Sequence, residues 1–190
     1  MITIGITGGI GSGKTIVSKV LTAFGYPIYV ADDESKRLTD TNPLIKEGLI
    51  KLFGKEMFAD GLLNKKMLAA EIFNHKEKLQ AVNNLIHPVV MEDFAEWKKK
   101  QSSPVVFIET AILFETPFHT LVDKKITVTS PLVLRMKRLL QRDNASEQEI
   151  KNRISNQMSD EEKIKRSDFV IVNDEKTAVL PQIQEILSKL

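Results

Sequence analysis

The chain has 190 residues, 42% hydrophobic and 27% charged, a balance typical of a globular domain large enough to bury one core. Its net charge of +2 gives no electrostatic reason to expect nucleic acid as a partner, and no segment approaches the roughly 18 apolar residues of a membrane span. The absence of cysteine from the sequence excludes disulfides, thiolate metal sites and cysteine nucleophiles. No basic region precedes the first apolar stretch, so we expect no signal peptide. With no membrane span and no cysteine in the sequence, we expect a cytoplasmic protein without membrane contact, and we infer no obligate protein partner.

The first predicted elements are a short buried strand, Ile2–Thr7, and a helix over Thr15–Phe24, joined by a glycine-rich loop. Residues 8–15 read Gly-Gly-Ile-Gly-Ser-Gly-Lys-Thr and fit the phosphate-binding pattern G-x-x-x-x-G-K-[S/T]. Glycines let the backbone turn its amides toward a phosphate chain, and the helix N-terminus adds positive charge. We therefore expect a nucleoside triphosphate here, with Lys14 on the β- and γ-phosphates and the Thr15 hydroxyl on Mg²⁺.

A second strand is predicted over Pro27–Val30, and two acidic residues, Asp32 and Asp33, follow it. A carboxylate at this edge of the sheet can take a proton from a hydroxyl group, as a general base does. Aspartate at a strand-to-helix turn equally suits a helix N-cap. Position alone does not choose between these roles, and one of the two residues can cap while the other acts.

About 75 residues without a strand signal separate the second predicted strand from the third, far more than a crossover needs. We expect a helical insertion over the carboxyl ends of the strands, where open α/β sheets bind ligands; a purely structural subdomain is the alternative. The last proline of the segment should mark a kink or a restart of a helix. Three turn signals divide the segment into several helices: Asn42-Pro43, Asp60-Gly61 and His87-Pro88.

The sequence contains three histidines, His75, His87 and His119, and their spacing is not that of metal ligands. His87 precedes a proline and is expected to stay out of helical geometry, where it can cap the next helix or contact a ligand.

Three further strands are predicted, Val105–Glu109, Lys125–Thr129 and Phe169–Val172. All five are nearly continuous in hydrophobicity, as strands covered on both faces are, and helical patterns alternate with them. The fold class is therefore α/β, a five-stranded parallel sheet flanked by helices. Glu109 ends a buried strand beside the phosphate loop, which favours a role in holding Mg²⁺; a solvated strand end is the alternative.

Arg135, Arg138 and Arg142 recur at i, i+3 and i+7, on one face of a predicted helix. The hairpin formed with the next helix can close over ATP as a lid, so that these arginines neutralise charge on the transferring phosphates. A solvated helix face is the alternative. Two capping boxes open the helices that follow, and one apolar stripe is expected to be buried: Ser146-x-x-Glu149, Ser159-x-x-Glu162, and Ile150, Ile154 and Met158.

Several segments recur in the order and spacing of one enzyme family: Ile4–Lys14, Ala31-Asp32, Asp60–Leu62, Leu85–Pro88, Ile112–Glu115, Gln141–Asp143, Arg153, Gln157 and Ser167–Asn173. Over nearly its full length the chain resembles the bacterial dephospho-coenzyme A kinases, which complete coenzyme A synthesis. The resemblance implies transfer of the ATP γ-phosphoryl group to the ribose 3′-hydroxyl of dephospho-coenzyme A. It also implies one domain of adenylate-kinase-like P-loop fold, with a core (1–31, 104–134, 168–190), a helical coenzyme A-binding insertion (about 32–103) and a lid (about 135–167).

The same resemblance assigns residue roles. Asp32 matches the family's proposed catalytic base, His87 a substrate-side residue, and Arg138 and Arg142 the lid arginines. Substrate contacts are also expected at Lys36 and Lys65. The expected nucleotide-binding residues are Gly9, Gly11, Ser12, Gly13, Lys14, Thr15 and Ile16, and the expected metal-binding residues are Thr15 and Glu109.

This sequence departs from the family pattern at several positions. Val30 stands where Asp or Asn is common, and Lys36 where an arginine is usual, although a lysine cannot repeat bidentate phosphate contacts. Asn64-Lys65 replaces a common Asp-Arg, and Ala111 replaces a proline. These departures put individual substrate contacts in question and leave the phosphate loop and Asp32 intact.

Two other readings compete. A GTPase-like switch normally has a late Asn-Lys-x-Asp segment, whereas Asn64-Lys65 lies in the insertion and is followed by Lys66-Met67. A kinase of the same fold acting on a nucleoside or nucleotide shares every chemical feature and differs only in the insertion.

Overall fold

A computed structural model of the chain describes residues 1–59, 61–73, 75–143 and 145–190. In chain order the elements are β1 (Ile2–Thr7), α1 (Lys14–Ala23), β2 (Ile28–Val30), α2 (Ala31–Thr41), α3 (Pro43–Phe53), β3 (Phe58–Ala59), β4 (Leu62–Leu63), α4 (Lys65–Phe73), α5 (Lys76–Lys99), β5 (Val105–Glu109), β6 (Lys124–Thr129), α6 (Leu132–Arg142), α7 (Glu147–Ser155), α8 (Asp160–Lys165), β7 (Phe169–Val172) and α9 (Val179–Leu187).

The main sheet is parallel and has five strands in the order β2-β5-β1-β6-β7. This confirms the predicted fold class, and each strand begins within one residue of its predicted start. The central strand β1 pairs with β5 through Ile6 and Glu109 and with β6 through Thr7 and Thr127. The carboxyl ends of the inner strands therefore meet at the edge of the sheet from which the glycine-rich loop emerges.

Contacts divide the described chain into two compact units, Met1–Val30 with Gln101–Leu190, and Ala31–Lys100. The first unit contains the main sheet, α1 and α6–α9. Its core is formed by apolar side chains of the strands packed against α1 and α9: Ile4, Ile6, Val17, Leu21, Phe107, Ile126, Val128, Ile171, Ile183 and Ile186. Near-continuous β-branched strands are buried in this way because helices cover the sheet.

The second unit consists of α2–α5 and a small antiparallel hairpin of β3 and β4. Asn42 caps α3, because its side-chain oxygen accepts a hydrogen bond from the backbone N–H of Leu44 at 2.9 Å. A side chain at Gly48 would crowd Leu85 at 2.5 Å, which fixes a close approach of α3 and α5. Within the described residues, no helix of either unit has the length and apolar character needed to cross a membrane.

Two expectations for the insertion were wrong, the division into separate helices at His87-Pro88 and the non-helical geometry of His87; of the two alternatives given for Pro88, a kink stays a prediction. Helix α5 runs from Lys76 to Lys99 with Pro88 inside it, so the helix does not restart there. His87 accordingly lies within a helix and cannot cap one that begins after it. The hairpin of β3 and β4 gave no strand signal because each strand has two residues, too few for a periodic pattern. The predicted turn at Asp60 lies outside the described residues.

The structure agrees more closely with the predicted capping boxes than with the predicted apolar stripe. At Ser146 both hydrogen bonds of the box are present, and Ser159 Oγ accepts from the Glu162 N–H at 3.2 Å. Ile150 is fully buried, but Ile154 is only partly buried. Met158 lies beyond the end of α7, so the stripe is shorter than predicted.

Candidate active site

The glycine-rich loop passes from β1 into α1 through three glycines with positive φ, the first of which, Gly8, has φ of 149°. Gly11 has φ of 81° and Gly13, the N-cap of α1, has φ of 96°, values that favour glycine. Side chains would also collide at the edges of the loop, because a Cβ on Gly9 would meet the guanidinium of Arg135 and a Cβ on Gly13 would meet the Asn173 amide. The loop geometry therefore requires the glycines that the sequence provides.

Lys14 lies at the start of α1, with its side chain turned back along the loop. The side chain is buried, and Nζ donates a hydrogen bond to Gly8 O at 3.0 Å. An ammonium at the first turn of a helix, beside backbone amides, makes an electropositive site suited to a polyphosphate.

Thr15 and Glu109 are brought together, as the two predicted metal ligands must be. Thr15 Oγ1 donates to Glu109 Oε1 at 3.4 Å, and Glu109 is 6% exposed at the end of β5. A hydroxyl and one carboxylate form a hard oxygen donor set that fits Mg²⁺, which commonly takes one or two carboxylates and keeps several water ligands. The remaining predicted loop residues, Ser12 and Ile16, flank these groups in sequence.

The three arginines of α6 have different surroundings. Arg135 is buried: Nε donates to Ile10 O at 2.9 Å, and Nη1 lies 3.0 Å from Asp160 Oδ2. For Arg135 this excludes the alternative of a solvated helix face, because its side chain packs against the phosphate loop and α8, while its place in a lid stays a prediction. Arg138 also reaches the loop, since Nη1 donates to Gly11 O at 3.3 Å.

Arg142 lies at the end of α6, away from the loop contacts made by the other two arginines. Its Nε donates to Asp143 Oδ1 at 2.6 Å, and Arg153 pairs with the same carboxylate. The two guanidinium groups lower the pKa of Asp143 to about 2, with the hydrogen bond from Arg142 the largest cause. In this arrangement Arg142 is held by a neighbouring carboxylate.

Asp32 and Asp33 are both within the first turn of α2, which begins at Ala31. They therefore lie inside the helix and not at its N-cap position, although acidic residues there still interact favourably with the helix dipole. Asp33 pairs with Lys36 at 2.8 Å in an exposed ion pair. The structure thus gives Asp33 a surface partner.

Lys36 and Lys65, which are 29 positions apart, line the same cleft of the second unit. The cleft has a volume of about 370 Å³ and a largely apolar lining. Lys65 also pairs with Asp40 at 2.8 Å. The other lining residues are Ser35, Thr39, Leu63, Leu68, Ala69 and Ile72.

His87 lies on α5 in the same unit and is half-buried. Burial lowers the pKa of its imidazole below the usual 6.5, because the charged form is less well solvated there. His87 is therefore neutral near pH 7 and can donate or accept a hydrogen bond.

Sequence reasoning missed the buried contacts of Lys163 and Asn173. Lys163 is completely buried; its Nζ donates to Ala111 O and pairs with Glu115 Oε1 at 2.9 Å. Because the carbonyl of Ala111 makes this contact, the departure from proline at that position does not remove it. Asn173 directly follows β7, and its Nδ2 donates a hydrogen bond to Ser12 O at 2.9 Å. The only sequence signal for either was family resemblance around Asn173.

Comparison with known proteins agrees with this geometry. A family model described as dephospho-CoA kinase matches residues 2–178. The chain is 46% identical to the dephospho-CoA kinase of Bacteroides fragilis strain YCH46 over 190 residues, which is 100% of this chain and 93% of that protein.

Solved structures agree as well. The crystal structure of TT1252 from Thermus thermophilus has a TM-score of 0.85 and 34% identity, covering 99% of this chain and 95% of that one. The dephospho-CoA kinase from Campylobacter jejuni has a TM-score of 0.67 and 26% identity, covering 98% and 94%. The chain belongs to the dephospho-CoA kinase family.

Proposed function

We propose that the protein transfers the γ-phosphoryl group of ATP to the ribose 3′-hydroxyl of dephospho-coenzyme A, giving coenzyme A and ADP. One observation carries the proposal: a phosphate loop with Lys14 at its end and a Thr15–Glu109 oxygen pair beside it, in a chain that matches the family over residues 2–178. We further propose that the enzyme works in the cytoplasm, with ATP and dephospho-coenzyme A as its partners.

On the donor side, amides of the phosphate loop, among them those of Gly11, Gly13 and Thr15, bind the phosphate chain of ATP, and Ile16 continues the same helical turn. Lys14 exchanges its contact with Gly8 O for the β- and γ-phosphate oxygens. Thr15 and Glu109 are the residues that would hold Mg²⁺, which when bound neutralises charge on the β- and γ-phosphates. Arg138 and Arg142, on the proposed lid of about 135–167, supply further positive charge.

On the acceptor side, Asp32 accepts the proton of the 3′-hydroxyl while the new oxygen–phosphorus bond forms and the bond to the bridging oxygen of ADP breaks. The cleft of the second unit matches the rest of the acceptor, since its apolar lining suits the aliphatic arm and Lys36 and Lys65 suit the diphosphate. Neutral His87 hydrogen-bonds the acceptor without adding charge.

A direct assay tests this function. The protein is incubated with Mg-ATP and dephospho-coenzyme A, and coenzyme A is identified by mass; parallel reactions contain nucleosides or nucleoside monophosphates instead. We expect product from dephospho-coenzyme A. Product from a nucleoside or nucleotide acceptor alone would replace this proposal with a nucleoside or nucleotide kinase of the same fold.

A further inference from the structure

Three side chains from outside the phosphate loop bind three consecutive carbonyl groups of its backbone. Arg135 Nε donates to Ile10 O at 2.9 Å, Arg138 Nη1 to Gly11 O at 3.3 Å, and Asn173 Nδ2 to Ser12 O at 2.9 Å. We call these three side chains the loop clamp. They come from α6 and from the segment after β7, so tertiary structure and not the loop sequence holds these carbonyls.

A hydrogen bond that fixes the direction of a backbone carbonyl also fixes the direction of the N–H in the same peptide group. Each trans peptide group is planar, and its C=O and N–H point in opposite directions. When Ile10 O is directed at Arg135, the N–H of Gly11 must point the other way; Ser12 O and the N–H of Gly13 are related in the same manner. A clamp on the outer carbonyls therefore sets the directions of the amides that a phosphate chain would bind.

Arg135 is the more deeply buried of the two arginines in the clamp. Its side chain is 7% exposed and is paired with Asp160 Oδ2, which also accepts a hydrogen bond from Thr129 Oγ1 at 3.1 Å. The guanidinium lies against Gly9, where no side chain fits. A buried arginine with a carboxylate partner and a backbone partner is a fixed support, unlike Arg142, whose side chain is 62% exposed.

We propose that Arg135, held by Asp160, is a positioning residue that presets the amides of the phosphate loop for a polyphosphate without contacting the nucleotide. The inference rests on the proposed function only in taking a polyphosphate as the ligand of this loop, and it is independent of the acceptor. It extends the site to a buried ion pair formed between α6 and the first residue of α8.

The test measures binding of two probes to the full-length protein by calorimetry: inorganic tripolyphosphate, which reports on the loop, and adenosine, which lacks phosphate. We expect Arg135→Met to weaken tripolyphosphate binding by about tenfold or more, the scale of one lost hydrogen bond to a charged group, and to leave adenosine binding unchanged. Arg135→Lys restores part of the loss. Lys137→Met, which removes the same charge from an exposed position of α6, is the matched control and should bind both probes nearly as the parent does.

A second variant, Asp160→Asn, shows whether Arg135 positions the loop or contacts the phosphates directly. It also provides a test if Arg135→Met does not fold. If Arg135 touched the phosphates, removing the negative charge beside it would strengthen tripolyphosphate binding. If Arg135 positions the loop, the same change loosens its support and weakens that binding by about twofold to thirtyfold, the range for a substitution that acts on a site without touching its ligand. Stronger or unchanged tripolyphosphate binding by Asp160→Asn overturns the proposal, as does an equal loss of both probes in folded Arg135→Met.

The two proposals fail in different ways. A parent protein that binds neither tripolyphosphate nor ATP contradicts the proposed function. A parent that binds both and forms coenzyme A, with variants that bind tripolyphosphate equally well, contradicts only the role of Arg135.

Discussion

Asp32 and Asp33 are neighbours in the first turn of α2, and both are exposed. Asp33 is paired with Lys36 on the surface. Asp32 is the base in the proposed reaction. We expect Asp32→Asn to lower kcat by about 10²–10⁴ because the amide cannot accept the hydroxyl proton, with little change in the dissociation constant of ATP.

Asp33→Asn is the matched control for this prediction. It removes the same charge one residue away and breaks only an exposed ion pair, which contributes about 0–1 kcal/mol to stability. Steady-state kinetics with dephospho-coenzyme A compares the two variants. If Asp33→Asn loses the activity and Asp32→Asn keeps it, Asp32 is not the base.

His87 should make stability depend on pH. Its pKa in the folded protein lies below the 6.5 expected for the unfolded chain, so protons bind the unfolded chain more readily in that interval. The free energy of unfolding should therefore fall as pH decreases from about 6.5 through the folded-state pKa, and level off below it. Urea titrations at several pH values check this, and His87→Gln should remove that part of the decrease while His75 and His119 stay in place. A variant with the same pH profile as the parent would contradict this prediction.

At the scale of elements, Lys163 joins α8 to the segment that follows β5. Its ammonium satisfies Ala111 O and Glu115, and Glu115 also accepts a hydrogen bond from the Met158 N–H at 2.9 Å. Lys163→Met keeps the aliphatic stem but leaves these acceptors without their donor. We expect a loss of about 1–3 kcal/mol in the free energy of unfolding, the cost of buried polar groups without partners.

Lys165→Met provides the comparison, because Lys165 lies two residues further along α8 with a side chain that is 70% exposed. Its loss should stay within about 0.5 kcal/mol, as for other surface substitutions. Thermal or urea unfolding measures both variants. Equal destabilisation by the two substitutions would mean that the buried ion pair contributes nothing beyond surface charge.

The elements that sequence predicted well are those whose signals are local. The strands of the main sheet are β-branched and continuous, and the phosphate loop has a fixed pattern of glycines followed by Lys14 and Thr15. The Ser146 capping box needs only four residues to form. Local sequence is enough to predict that such features are present, because each pattern spans only a few residues.

Long-range contacts limited prediction elsewhere. Helical spacing placed Arg135 on the same face as Arg138 and Arg142, but its burial depends on Asp160 and Ile10, which are distant in sequence. Pro88 is tolerated inside α5, a helix that packs against α2, α3 and α4. Tertiary packing overrides a local preference in this way, so the break predicted at His87-Pro88 does not occur.

At the scale of the whole molecule, the hydrogen bond from Asn173 to Ser12 joins residues 161 positions apart. Synthesis adds about 5–20 residues per second, so Ser12 is made well before Asn173. Nearly the whole chain must therefore be synthesised before this hydrogen bond can form. Until Asn173 has been added, a nucleotide that reaches the nascent chain meets a phosphate loop that lacks this hydrogen bond.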